Sequence, residues 1–132
     1  MADSKRYMDW LNKASEDYES ALILYRNRGS LSNVVFFCQQ AVEKALKGYI
    51  LKHQKVLIDG HSLVFLCRKT MDIDDFFRHF LNDCAFLNQF YLESRYPADI
   101  PMDVTDAEAN KCIEIAKVIL GRIRQVIDSN VH

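Results

Sequence analysis

The chain has 132 residues, of which 49% are hydrophobic and 27% are charged, and its formal net charge is −1 at pH 7. This length and composition suit one domain, spanning residues 1–132, that buries roughly two-thirds of its unfolded surface without disulfides or a bound metal. The near-zero net charge excludes a global positive field of the kind that holds nucleic acid non-specifically, so any such binding needs a local basic patch.

Helical periodicity extends over the whole chain, with no alternating strand pattern of useful length. The first helix is predicted to span residues 4 to about 26 and to end before Gly29, the stop signal. Ser30 or Ser32 caps the second helix, which continues to about residue 52 or 53. A polar link follows and separates this helix from a short third one at residues 62–69.

The fourth predicted helix begins at Asp72 or Asp74 and ends near residue 93. The neighbouring aspartates, including Asp75, are explained by helix capping and the helix dipole, so we predict no metal site there. A Pro-containing loop covers residues 98–105. The last helix starts at Thr105 with Glu at position N3, the capping-box spacing, and runs to about residue 128.

Four long helices and a short one, joined by short loops, predict an all-α fold, a four-helix up-and-down bundle with one additional short helix. The second helix is apolar over most of its circumference, and Ile115 and Val118 lie outside the main apolar stripe of the last helix. We expect a homodimer to bury this surplus apolar surface.

The cysteines lie far apart among apolar residues of helical patterns, which predicts small core side chains of a reduced protein: Cys38, Cys67, Cys84 and Cys112. Their spacing fits no zinc site. The N-terminus lacks a signal-peptide pattern, and no run of about 18 apolar residues occurs. We therefore expect a soluble, cytoplasmic protein with no membrane segment and no cofactor.

The second helix also carries a compact polar arc. Successive residues lie about 100° apart around a helix, and this spacing groups Gln39, Gln40, Glu43, Lys44 and Lys47. Phe36 is directed outward in the middle of the arc, either as one stray exposed ring or as part of a subunit interface. We expect Phe36, Gln39, Gln40 and Glu43 to form a surface on which a partner docks.

Lysines give the end of the second helix a one-sided positive run, made of Lys44, Lys47, Lys52 and Lys55. This run could attract a polyanion, and we take Lys44 and Lys47 as candidate phosphate ligands. Solvated lysines on a helix face are the more common explanation. Glu43 lies four residues before Lys47, so a stabilising pair within the helix commits part of this charge.

Three sequence elements together resemble the HEPN domain family of small four- or five-helix proteins. They are Phe37 followed by the run QAVEKALK at 40–47, Gly-His-Ser-Leu at 60–63, and Arg-Tyr-Pro at 95–97. The resemblance covers most of the chain. It implies a bundle that dimerises and often associates with a small nucleotidyltransferase. It also implies roles that range from nucleotide binding to RNA cleavage in toxin–antitoxin and defence systems.

The ribonuclease members of that family carry an Arg and a His with four to six residues between them. Arg95 looks like the counterpart of that Arg, but the positions that should hold the His, 100 to 102, are Ile-Pro-Met. We therefore expect a non-catalytic binding module that associates with a nucleotidyltransferase partner. A nucleotide or an RNA phosphate would bind near Arg95, Tyr96 and His61.

Other interpretations of these residues stay open. His61 follows Gly60 at a loop-to-helix junction, where it either packs and caps or contacts a phosphate at the helix N-terminus. Arg95 either meets orphan carbonyls at a helix end or binds phosphate, with Tyr96 stacking on a base. A ribonuclease toxin with a non-standard base, such as His61 or His79, is one alternative function. A module that binds only protein is another.

Overall fold

The computed structural model describes residues 5–91 and 103–129. All regular structure in these residues is helical, which confirms the predicted all-α bundle: α1 (Tyr7–Arg26), α2 (Leu31–Gln54), α3 (Leu63–Met71), a 3₁₀ helix (Asp75–Phe80), α4 (Leu81–Asn88) and α5 (Asp106–Ser129). Within the same residues, no helix combines the length and the hydrophobicity that crossing a membrane requires.

Side-chain caps fix the starts of three helices, and those of α2 and α5 were predicted. Ser30 accepts a hydrogen bond from a backbone N–H of the first turn of α2, and Ser62 does the same for α3. At the start of α5, the Thr105 hydroxyl accepts from the Glu108 N–H at 3.1 Å, and the Glu108 carboxylate accepts from the Thr105 N–H at 3.0 Å. This reciprocal pair is the capping box that the sequence predicts.

The fourth predicted helix is divided in two. Asp74 accepts a hydrogen bond from the Phe76 N–H at 3.0 Å, and a 3₁₀ helix precedes α4. A 3₁₀ helix places residues three apart on the same side, which directs both Phe77 and Phe80 into the core. The prediction of a single continuous helix from residue 72 or 74 was therefore wrong. Its predicted end near residue 93 lies outside the described residues.

The core is centred on α2, which packs against both α1 and α5. The four cysteines are fully buried in it, as predicted. Burial raises the pKa of the Cys112 thiol to about 12 and also raises that of Cys38. These thiols therefore behave as small core side chains.

The core also accounts for most of the surplus apolar surface on which the predicted homodimer depended. The broad apolar sector of α2 is covered within the chain, and Ile115 of α5 is only 6% exposed. Ile115 is therefore not part of a surplus apolar surface that a second copy could cover, contrary to the expectation. Val118, at 53%, is the exposed apolar residue of that pair. The homodimer itself stays a prediction.

Gly48 lets α1 lie close to α2. A Cβ atom at this position would lie 3.1 Å from both Leu11 Cδ2 and Trp10 Cβ, and 3.2 Å from the Tyr7 carbonyl oxygen. These distances are shorter than ordinary van der Waals contacts. The glycine therefore allows the first turns of α1 to approach α2 closely. This close approach lies next to the polar side chains of α2.

Candidate functional site

The polar arc of α2 is mostly buried. Gln39 is 0% exposed, Glu43 is 3% and Lys47 is 6%. The prediction that this arc lies on the surface for a partner to dock is therefore wrong for Gln39 and Glu43. Angular spacing gives the direction of a side chain around a helix but not what covers it, and here the link between α2 and α3 folds back over the arc.

Glu43 is the centre of this buried arrangement. One of its carboxylate oxygens, Oε2, lies 3.0 Å from Lys47 Nζ, which confirms the predicted pair within the helix. Nδ1 of His61 lies 3.1 Å from Oε1 and 3.0 Å from Oε2. Gln39 Nε2 donates to Oε1 at 3.5 Å. We call these four residues, Gln39, Glu43, Lys47 and His61, the Glu43 cluster.

The cluster holds His61 from several sides. Gly60, with a positive φ of 93°, turns the chain, and the His61 carbonyl accepts a hydrogen bond from Gln39 Nε2 at 3.3 Å. Because a carboxylate only accepts, Nδ1 of the neutral ring carries the proton and Nε2 is an acceptor. The ring stacks on Tyr91 at a centroid distance of 4.5 Å, while its side chain stays 51% exposed.

Phe36 belongs to the same group of rings. Its ring also stacks on that of Tyr91, at a centroid distance of 6.3 Å and an interplanar angle of 22°. Phe36 meets Phe37 edge to face at 6.2 Å. The outward projection predicted for Phe36 is therefore wrong, because Tyr91 reaches it and the ring is partly buried.

The other two polar residues of the arc are also partnered. Lys44 forms an ion pair with Asp17 of α1, a carboxylate whose side chain is only 7% exposed. Gln40 Nε2 donates to Gln39 Oε1 at 2.9 Å. The first half of the predicted positive run, Lys44 and Lys47, is therefore neutralised by carboxylates rather than open to a polyanion.

A cavity of about 410 Å³ opens beside the cluster. We call it the Glu43 cavity, and its walls are Trp10, Lys13, Gln40, Glu43, Lys44, Lys47 and residues 57–61. Each of its lysines pairs with a carboxylate, since Lys13 lies 3.7 Å from Glu16. The Lys47 ammonium also lies 5.8 Å from the centre of the Trp10 ring. The walls of the cavity are more apolar than polar, and each of its lysines is balanced by a carboxylate.

A second cavity, of about 340 Å³, lies at the end of α2. We call it the lysine cavity, and its lining is Lys5, Tyr7, Leu51, Lys52, Lys55 and Leu57. Leu57 lines both cavities, so the two are neighbours. The sequence pointed to Lys52 and Lys55 but missed Lys5, which lies before α1 and meets the others only through the packing of α1 on α2.

Three further candidates were predicted from the sequence: Arg95, Tyr96 and His79. Arg95 and Tyr96 lie outside the described residues. His79 lies in the 3₁₀ helix, with its ring 5.0 Å from that of Phe76, and lines neither cavity. Of the residues predicted to bind a ligand, the structure therefore brings together His61, Lys44 and Lys47.

Comparison with known proteins identifies a family and similar structures. The family model of the HEPN domain matches residues 7–126. The crystal structure of TT1696 from Thermus thermophilus is 26% identical, with a TM-score of 0.78, and the match covers 92% of this chain and 98% of that one. The crystal structure of ST0689, an archaeal HEPN homologue, is 29% identical, with a TM-score of 0.72 and coverages of 94% and 99%. No curated protein matches the chain.

Proposed function

Because the chain belongs to the HEPN domain family, we propose that it is a non-catalytic binding module that holds a nucleotide, or one nucleotide unit of an RNA, in the Glu43 cavity. It acts as a homodimer together with a nucleotidyltransferase partner. Both forms of association follow from the family resemblance, and the cavity supplies the ligand site.

One observation carries the ligand assignment: planar and hydrogen-bonding groups converge on a single cavity of suitable size. The volume of about 410 Å³ lies within the roughly 300–1,000 Å³ of small-molecule sites. The half-exposed His61 ring offers a stacking surface, and the Gln40 amide offers both a donor and an acceptor. A nucleobase has a planar face and a hydrogen-bonding edge, so it matches these groups better than a bare anion does.

The sequence and the Glu43 cluster both support a module without catalytic activity. The ribonuclease motif lacks its histidine at positions 100–102. Glu43 shares its charge between Lys47 and His61 and is only 3% exposed. A carboxylate engaged in this way stabilises the fold around the cavity and is poorly placed to take a proton from a ligand.

The ligand is tested by calorimetric titration with ATP and, separately, with a short single-stranded RNA. His61→Ala should weaken binding about tenfold or more, since stacking on a base is worth about 1–3 kcal/mol. His79→Ala is the matched control, because His79 lines neither cavity, and it should bind like the parent. Equal affinity of the His61→Ala variant and the parent, with both variants folded by circular dichroism, would contradict the proposal.

Association is tested by light scattering and by a tagged pull-down from the native cell, read by mass spectrometry. We expect a particle of twice the chain mass of 15.4 kDa and a nucleotidyltransferase in the eluate. Phe36 and Gln40, the partly exposed members of the predicted interface, are the residues to substitute in the complex. This part of the proposal would be excluded if the protein is a monomer at all concentrations and the pull-down recovers no transferase.

A second function is favoured by one specific distance. The 3.0 Å contact between Glu43 Oε2 and His61 Nδ1 is the arrangement by which a carboxylate orients a histidine general base. Nε2 would accept the proton of an RNA 2′-hydroxyl, the 2′-oxygen would attack phosphorus, and the 5′-oxygen would leave with a proton from water. Arg95 would stabilise the charge on the phosphate.

This ribonuclease activity predicts RNA cleavage that His61→Ala and Arg95→Ala abolish without loss of folding. RNA that stays intact after long incubation would exclude it. A module that binds only protein, the third alternative, is the outcome if ATP and RNA fail to bind while the transferase is recovered.

A further inference from the structure

We propose that the lysine cavity is a separate anion site that binds a polyphosphate group, through Lys5, Lys52 and Lys55. Its ligand is of the chemical class of inorganic pyrophosphate or the phosphate chain of a nucleotide. That the phosphates belong to a nucleotide rests on the proposed function, whereas anion binding in this cavity does not.

Unpaired charge is the first argument. Three lysines from two parts of the chain line one cavity of about 340 Å³. In the described part of the chain, none of the three lies within 4.0 Å of a carboxylate oxygen, whereas Lys13, Lys44 and Lys47 all do. Like charges around a shared concave surface produce a local positive potential that an anion lowers.

The local structure directs these side chains to the cavity. Lys55 ends α2 in the left-handed region, with φ of 59° and ψ of 29°. Its Nζ donates to the Lys52 carbonyl at 3.1 Å, so the side chain folds back toward the helix end. Lys52 Nζ lies 5.1 Å from the centre of the Tyr7 ring. The Tyr7 ring, which lines the cavity, therefore contacts the Lys52 side chain.

The helix dipole explains only part of this arrangement. Cations are favourable near the C-terminus of a helix, which accounts for Lys52 and Lys55. Lys5 lies before α1 and belongs to no helix, so the dipole of α2 does not account for its place on the same cavity. Three cations on one concave surface need a further reason, and a bound polyanion supplies it.

A neighbouring titratable group senses the same positive potential. Partial burial of the His53 ring, followed by the charges of Lys52 and Lys55, lowers its pKa. The His53 ring lies 4.5 Å from that of Tyr49, next to the end of α2. A polyphosphate bound in the lysine cavity would oppose these lysine charges, so the pKa of His53 should rise when the site is filled.

The position of the cavity favours a polyphosphate that is part of a larger ligand. Leu57 lines both cavities, so a ligand with its planar part beside His61 would extend toward Lys52 and Lys55. The lysines of the Glu43 cavity are paired with carboxylates, whereas those of the lysine cavity have no such partner within the described residues. This division matches a nucleotide, which has a largely neutral base and an anionic phosphate chain.

The test is calorimetric titration of the full chain with sodium pyrophosphate at two salt concentrations. The double variant Lys52→Met, Lys55→Met keeps the side-chain length and removes two charges. It should bind pyrophosphate about tenfold or more weakly, with a shallower salt dependence. The control is Lys69→Met, whose ammonium lies over the Phe65 ring on α3 and should not change the affinity.

The outcomes separate this inference from the proposed function. If the parent fails to bind millimolar pyrophosphate, or if the double variant binds it as tightly, the anion site is wrong even when His61→Ala still weakens ATP binding. If pyrophosphate binding depends on the two lysines while His61→Ala leaves ATP binding unchanged, the anion site stands and the nucleotide assignment fails. RNA binding that needs both lysines without any pyrophosphate binding would also overturn the polyphosphate assignment.

Discussion

The two cavities at the junction of α1 and α2 share Leu57 but differ in how their charges are balanced. In the Glu43 cavity each lysine has a carboxylate partner: Glu16, Asp17 or Glu43. In the lysine cavity, no lysine has one within the described residues. A positive run that looks uniform along α2 is therefore divided by the tertiary structure into a neutralised first half and an unpaired second half.

This difference predicts different consequences of substitution. A buried ion pair is desolvated, so removing one partner leaves an uncompensated charge and destabilises the fold. An exposed, unpaired lysine contributes little to stability, so removing it changes ligand affinity instead. Substitutions of the buried pair Glu43 and Lys47 should therefore act mainly on folding, and those at the lysine cavity mainly on binding.

The largest effect is expected for Glu43→Ala. It leaves Lys47, whose side chain is 7% exposed, without its carboxylate and releases His61, so the free energy of unfolding should fall by about 3–5 kcal/mol. Urea denaturation measures this loss. The control is Glu16→Ala, which breaks the exposed pair with Lys13 and should cost less than about 1 kcal/mol. Similar losses for both variants would remove the distinction between buried and exposed pairs.

A leucine at Gly48 should affect both cavities together. The new side chain would meet α1 at Leu11, Trp10 and Tyr7, and overpacking of this kind costs about 1–3 kcal/mol. Because α1 carries residues of both cavities, ATP and pyrophosphate binding should weaken in parallel. Gly121→Leu on α5 is the control, since a Cβ there has no neighbour within 4 Å. Unchanged stability of the Gly48→Leu variant would show that α1 can move aside.

Asp17→Asn should make the Glu43 cavity resemble the lysine cavity. The change removes the carboxylate that pairs with Lys44 and should cost about 1.5 kcal/mol, the scale of a hydrogen bond to a charged group. It also frees the ammonium group of Lys44 on the cavity wall. The variant should therefore bind pyrophosphate several-fold more tightly than the parent does. Unchanged pyrophosphate affinity, measured by calorimetry, would mean that charge pairing does not distinguish the two cavities.

The smallest effect concerns the titration of His53. Its pKa is lowered in the fold, so its contribution to stability is full above about pH 6.5, the ordinary histidine value. That contribution is lost as the pH falls through the lowered value. Removing the charges in Lys52→Met, Lys55→Met should raise the pKa of His53, and NMR titration of the ring measures the change. A Lys69→Met variant should leave the titration unchanged, and an equal shift in both variants would exclude a local cause.

Much of the fold could be predicted because its signals are local. The Ser30 and Thr105 caps specify helix starts through hydrogen bonds that span three residues. The 3.6-residue apolar period specifies which faces enter the core, and the cysteines follow that period into it. The 3₁₀ helix was missed, because the choice between three and 3.6 residues per turn depends on how Phe77 and Phe80 fit the core.

The composition of the site could be predicted only in part. His61, Lys44 and Lys47 were identified from a family resemblance and a charge pattern, but the covering of Gln39 and Glu43 by the link between α2 and α3 could not be. That covering depends on residue 43 meeting residue 61, a contact 18 positions apart in the chain. A helical wheel holds no information about such a contact.

The sequence by itself determined the all-α class, the helix caps, the buried thiols and the family, because each of these depends on residues near one another along the chain. The tertiary structure alone decided which charges pair. Asp17 meets Lys44 across 27 positions, and Lys5 meets Lys52 and Lys55 on one cavity. Coulomb interactions depend on distance in space and on burial, and both are set only when α1 packs on α2.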